Sequence, residues 1–255
     1  MKDYHSILMD FYSAHGLLAK DFRCKNSNQC EIAASPRELS RGASAHIGEK
    51  YGDPYRIVVV SLDRGHQSEK TDSTESRTNI IEGLWEQKTK QHMTGTKKIL
   101  TALLEKEFAS SENLFLHFAM TNSAKCSGND GDRSVVPDAL YEKCATFAWE
   151  ELGLLEPELI ITQGKMARNV LNGYVEALSE EDVMEVLTYL HVENMAVAQT
   201  VKNCVSTFIG RVQMGREAPL LLSLPHPSAR GGQWQQFERS FMDLVVEILR
   251  FLLKR

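Results

Sequence analysis

Four short apolar runs punctuate the chain: RIVVVSL at 56–62, LFLHFAM at 114–120, ELIITQG at 158–164 and PLLLSLP at 219–225. Their brevity, mostly apolar content and closure by Gly, Asn, Pro or Ser predict buried strands. Between them apolar residues recur at helical spacing. Ile99, Leu100, Leu103 and Leu104 do so within 91–109, and Leu140, Cys144, Phe147 and Leu152 within 137–153; residues 235–253 form an amphipathic C-terminal pattern. Strands alternating with helices predict an α/β fold, a three-layer α/β/α sandwich around a central, mostly parallel four-stranded sheet. Two segments stand apart. Residues 63–90 are polar and read as a long loop, and residues 173–206 read as a helical insertion, with Ser179 as an N-cap and Asp182 in a weak version of the capping box. No repeat or low-complexity tract divides the chain, so residues 1–255 are expected to form one domain carrying that insertion.

Composition narrows the class. The chain is 42% hydrophobic and 25% charged, as in soluble globular proteins. No apolar run is long enough to span a bilayer, and Asp, His and Lys interrupt the N-terminal segment where a signal peptide would be apolar. A cytoplasmic monomer without a membrane partner is the expectation. The net charge of −5 gives no global attraction to nucleic acid, so any DNA contact must use a local basic face. Five cysteines in such a chain do not suggest disulfides. Five residues lie between Cys24 and Cys30 and seventeen between Cys126 and Cys144, and Cys204 stands alone.

In parallel sheets functional groups gather beyond the carboxyl ends of the strands. Those ends read SLDRG, MTNSAKC, TQGKMA and LPHPSAR. The last belongs to SLPHPSARGG, which displays an imidazole, a hydroxyl and a guanidinium on a backbone stiffened by proline and turned by glycine.

Taken in order, these motifs resemble the uracil-DNA glycosylase superfamily, most nearly its iron–sulfur branch. VVVSLDRG resembles the first active-site motif, AMTNSAKC the second-strand motif, and LPHPSAR the final His-Pro-Ser motif. CATFAWEELGLLEPELIITQGKMARNVL resembles the stretch where a cluster cysteine opens a helix and a strand then ends in Gly-x-x-Ala. The resemblance implies a catalytic Asp63 that positions water and a catalytic His226 that donates to the departing base. It implies base recognition by Asn122, with Arg64 and Gly65 beside it, and DNA contacts from Ser228, Arg230, Lys125 and Gly164. Lys165 and Arg168 are further candidates for the DNA backbone, although both equally suit a solvated charged face. Cys24, Cys30, Cys126 and Cys144 match the plan of a [4Fe–4S] cluster. Structural zinc would also suit four thiolates, and cysteines also serve as small buried hydrophobes. The N-terminal pair is more widely spaced than in that branch, and Leu62 stands where the branch carries an acid.

Breaking an N-glycosidic bond puts positive charge on the sugar and negative charge on the base, which calls for a carboxylate near one and a donor near the other. Asp63 and His226 answer that need, although a strand-end Asp also caps turns. No Schiff-base lysine is evident, so base removal without strand cleavage is expected. The classical enzymes exclude substituents at ring carbon 5 with a Tyr where this chain has Gly65, and the loop after Gly65 has no aromatic before Trp85. Both features point away from strict uracil specificity; with the extra segment 173–206 the expectation is a modified or damaged pyrimidine, such as the bulky 5-substituted cytosines of some phage genomes, and the resemblance to the superfamily implies a role in antiviral defence. Uracil excision in DNA repair is one alternative. A non-catalytic iron–sulfur DNA-binding or adaptor protein is another, favoured by Leu62 and opposed by Asp63, Asn122 and His226.

Overall fold

The computed structural model describes residues 2–43, 45–62, 74–86, 91–108, 112–130, 133–216, 218–228 and 231–255. The chain opens with α1 (Tyr4–Ala14), where Asp3 caps the first turn by accepting from the Ser6 N–H at 3.1 Å. Next come α2 (Ser27–Ala34), β1 (Glu38–Ser40), β2 (His46–Ile47), β3 (Ile57–Ser61), α3 (Thr74–Glu86) and α4 (Gln91–Leu104). A 3₁₀ turn at Leu114–His117 leads into β4 (Phe118–Asn122), the hairpin β5 (Ser127–Asp130) and β6 (Arg133–Val135), then α5 (Asp138–Leu155). The remainder runs β7 (Leu159–Gln163), α6 (Lys165–Asn169), β8 (Val175–Glu176), α7 (Glu180–Tyr189), α8 (Met195–Phe208), β9 (Ile209–Val212), β10 (Leu220–Leu224), α9 (Gln233–Ser240) and α10 (Met242–Leu253).

The central sheet has the order β2-β4-β3-β7-β10-β9-β8. Its four inner strands β4, β3, β7 and β10 are mutually parallel, while β2, β9 and β8 pair antiparallel at the two edges. The expected four-stranded sheet is therefore seven-stranded. β2 and β8 are two residues long, too short for any period-2 pattern to register, and β9 follows directly on a helix. The mixed α/β class and the mostly parallel centre are as expected.

Alternation along the inner strands explains the layering. Ile57 and Val59 enter one apolar core with residues of α3, α4, α8, α9 and α10, whereas Val58 and Val60 enter a second core with α1, α5 and α6. Each fully buried aliphatic side chain of this kind stabilises the fold by about 1.5–3 kcal/mol, so a strand buried on both faces holds its register firmly. Other differences from expectation are local. Residues 74–86 form α3 instead of loop, held by buried Ile81 and Trp85 one helical turn apart. The C-terminal pattern is two helices, broken at Phe241 (φ −132°). Between 173 and 206 the helices are accompanied by strand β8; the Ser179 hydroxyl caps α7 by accepting from the Asp182 N–H at 3.0 Å. Among the described residues, no helix is long and apolar enough to cross a membrane.

Candidate functional site

The parallel register brings four strand ends to one edge of the sheet. Ser61, last in β3, lies opposite Asn122, last in β4. The Ser61 hydroxyl donates to Asn122 Oδ1 at 2.6 Å, and among the described residues Nδ2 makes no hydrogen bond. Asn122 thus presents an N–H donor of fixed orientation. The chain after β4 straps down the end of β3: the Ser123 and Ala124 N–H groups donate to the carbonyls of Ser61 and Leu62, each at 2.9 Å, and the Ser123 hydroxyl donates to Leu62 O at 2.6 Å. The backbone is therefore anchored up to the residue before Asp63. Asp63, Arg64 and Gly65 themselves lie outside the described residues, as does Arg230.

His226 follows β10 and is held by its neighbours. Pro227 fills a notch formed by Gly95 of α4 and Trp234 of α9. A Cβ on Gly95 would lie 2.5 Å from Pro227 Cγ and 3.1 Å from Trp234 Cζ2. The Ser228 N–H donates to His226 Nδ1 at 3.2 Å, so the neutral ring carries its proton on Nε2. Burial pushes the imidazole pKa below its ordinary value, which keeps the ring neutral and Nε2 a donor. Ser228 contributes this contact through its backbone, while its side chain is exposed.

Gly164 packs between the two strand ends. Its φ of +93° favours glycine, its N–H donates to Leu224 O at 2.8 Å, and a Cβ here would sit 3.1 Å from His226 Cβ and 3.7 Å from Leu62 Cδ2. Gly164, expected to open the following helix toward a phosphate, is the N-cap of the five-residue α6 and packs closely behind His226.

Lys125 requires correction. Expected on the DNA-facing surface, it is 2% exposed and points inward. Its Nζ donates to Asn122 O at 2.6 Å and to Thr121 Oγ1 at 3.1 Å, and it pairs with Glu151 of α5. The fully buried Glu151 also accepts from the hydroxyls of Tyr12 and Thr121. A carboxylate with no exposure needs such partners, and Lys125 supplies the compensating charge. Sequence reasoning missed Glu151, Ser61 and Gly95. A lone acid within the apolar stripe of α5 and a glycine inside α4 were the available signals.

Cys24, Cys30, Cys126 and Cys144 are all buried, from four different segments. Burial, followed by the neighbouring Cys144 and Cys24, raises the Cys30 pKa to about 11. Burial, with Cys144, Cys30 and Cys24 also contributing, raises Cys126 to about 12. Burial likewise pushes Cys144 up, against hydrogen bonds from the Lys125 and Cys126 backbones. Each of these three shifts includes a contribution from another of the four thiols. Backbone N–H groups address them: Lys125 N donates to Cys144 Sγ at 3.3 Å, Asn26 N to Cys24 Sγ at 3.5 Å, and the Gly42 backbone to Cys126. Cys204 differs, since burial alone pushes its thiol up, to about 11, and it packs in the opposite core. Among the described residues no three His, Cys, Asp or Glu side chains converge on a point suited to a single metal ion. Three of the four sulfurs, those of Cys24, Cys126 and Cys144, are met by backbone donors, and four thiolates are the donor chemistry that an iron–sulfur cluster takes.

No protein-family model matches the chain, and no curated protein matches it.

Proposed function

We propose that this chain is a monofunctional DNA glycosylase that extrudes a modified or damaged pyrimidine and hydrolyses its N-glycosidic bond, with a 5-substituted cytosine of phage DNA as the leading substrate and uracil as the alternative. One observation carries this reading: two oriented, neutral donors, Asn122 Nδ2 and His226 Nε2, stand at the carboxyl ends of β4 and β10. β3 and β7 lie between those strands, so a base lying over the ends of β3 and β7 would have one donor on each side.

In this mechanism the flipped base lies over the ends of β3 and β7. Asn122 reads its Watson–Crick edge. The C1′–N1 bond breaks with its electrons passing to the base, and His226 Nε2–H stabilises the negative charge on the base carbonyl. Asp63 holds the water that adds to C1′ and balances the cationic sugar. The products are an abasic sugar and a free base that takes up a proton. Donors fixed by Ser61 and by the Ser228 N–H need not reorganise as charge develops, which is the source of their advantage over water.

The four cysteines would hold a [4Fe–4S] cluster; the zinc alternative needs three or more ligands converging on one point, which the described residues do not offer. Bound there, such a group would supply a covalent staple joining residues 24–30 to the segment after β4 and to α5. Lys125 would support that staple from the protein side, since its backbone N–H faces Cys144 Sγ and its side chain faces Asn122 O.

The test is incubation with oligonucleotides bearing different pyrimidines, single- and double-stranded, followed by alkaline cleavage at abasic sites. Breaks that appear only after alkali support the proposal. Binding of DNA without abasic sites across the whole panel would favour an adaptor instead.

A further inference from the structure

An asparagine amide can sit in two orientations related by a half-turn, which exchange its acceptor and its donor. The environment selects between them. For Asn122 the selecting group is Ser61. Its hydroxyl, buried at the end of β3, donates to Oδ1 at 2.6 Å, and among the described residues its other acceptor is Thr121 O, at 3.3 Å. Turning the amide would face Nδ2 to Ser61 and leave the hydroxyl proton with this longer contact. Ser61 has little freedom to follow, because its carbonyl accepts from the Ser123 N–H at 2.9 Å and from the Ser123 hydroxyl at 3.0 Å.

The consequence is a read-out with fixed polarity. A pyrimidine with an amino group at carbon 4 shows a bare ring nitrogen beside a donor. One with a carbonyl at carbon 4 shows a ring N–H beside an acceptor. The two edges are complementary to opposite orientations of the same amide, so an amide free to turn reads both and a locked one reads one. We infer that Ser61 is a positioning residue for specificity, which locks Asn122 so that the site discriminates between 4-amino and 4-oxo pyrimidines. This inference rests on the glycosylase reading and deepens it.

The experiment uses matched oligonucleotides that differ only at this edge: cytosine against uracil, 5-methylcytosine against thymine, and 5-hydroxymethylcytosine against 5-hydroxymethyluracil. Single-turnover base release is measured by alkaline cleavage for the wild type, Ser61→Ala and the nearly isosteric Ser61→Cys, whose thiol is a weak donor. The wild type should release the two members of a pair at rates differing by at least about tenfold, as expected where a mismatched donor or acceptor is left unpaired. Both Ser61 variants should shrink that ratio by about tenfold, the result of losing one oriented hydrogen bond. General damage to folding would lower both members equally and leave the ratio alone. Equal release of both members by the wild type, or an unchanged ratio in a folded Ser61 variant, overturns the role of Ser61 while base release itself stands. Release from none of the oligonucleotides by the wild type overturns the glycosylase proposal and this inference with it.

Discussion

The two donors of the site are secured by different physics. Asn122 is held from beneath by buried polar groups, with Ser61 on its amide and Lys125 on its carbonyl, the lysine tied in turn to Glu151. His226 is held from outside by shape, through Pro227 seated against Gly95 and Trp234, with one N–H to its ring. A polar interior is intolerant of losing one partner, whereas a shaped notch tolerates change until the shape itself is filled. Damage near Asn122 should therefore appear first as lost stability, and damage near His226 as lost activity.

The largest effect is expected at Glu151. Glu151→Gln leaves the Lys125 charge buried without its counter-charge, and such half-broken pairs cost about 3–5 kcal/mol. Denaturant unfolding should show a midpoint well below that of the parent. Lys125→Met in the same chain should recover part of the loss, because an apolar replacement removes the stranded charge. Equal stability of Glu151→Gln and parent would break the contrast on its polar side.

Gly95→Ala sharpens the other side. In an open helix this change stabilises by about 1 kcal/mol. Here the new Cβ would fall 2.5 Å from the rigid Pro227 ring, and overpacking of this kind costs about 1–3 kcal/mol. The two terms nearly offset in stability, but Pro227 must move and carries His226 with it. Base release should fall by about tenfold or more while the unfolding midpoint shifts little. An unchanged rate would mean that the notch does not place His226.

A comparison among the cysteines separates ligation from burial. Cys126→Ser should lower both iron content and soluble yield, because cluster binding and folding are linked. Cys204→Ser, in a core with no other thiol acting on it, should leave iron content unchanged. Iron lost equally from both variants would remove the distinction between the four sulfurs and the fifth.

The smallest effect is a pH slope. Burial depresses the His226 pKa in the folded state. As pH falls below the ordinary histidine value the unfolded chain takes up a proton that the folded chain resists. This contribution to stability is present above that value and is lost as pH falls through the folded pKa. His226→Gln should flatten the decline of stability from pH 7 toward pH 5, as followed by thermal unfolding. A slope identical to the parent would show that the ring titrates as an exposed histidine.

The contrast also explains what was legible beforehand. The inner strands were visible because they are buried on both faces and read as continuous apolar runs, and the residues that close them, Asn122 and His226 among them, stand out against that background. The edge strands β2 and β8 carry too few residues for a pattern. α3 was hidden by its polar composition; among its described side chains Ile81 and Trp85 are buried. Lys125 was misplaced because a strand-end lysine normally faces solvent, and its partner Glu151 lies 26 residues further on, brought near only by the packing of α5. Ser61 looked like the close of a strand until the register set it beside Asn122.

The central claim is that the oriented donor on His226 acts on a departing base. It is tested most directly by single-turnover base release from the best oligonucleotide substrate by the wild type, His226→Ala and Asp63→Asn, with DNA affinity measured in parallel. Loss of one such donor should lower the rate by about 100-fold or more, with affinity retained because phosphate contacts come from other groups. Base release by both variants at the wild-type rate would contradict the account and move the active site elsewhere.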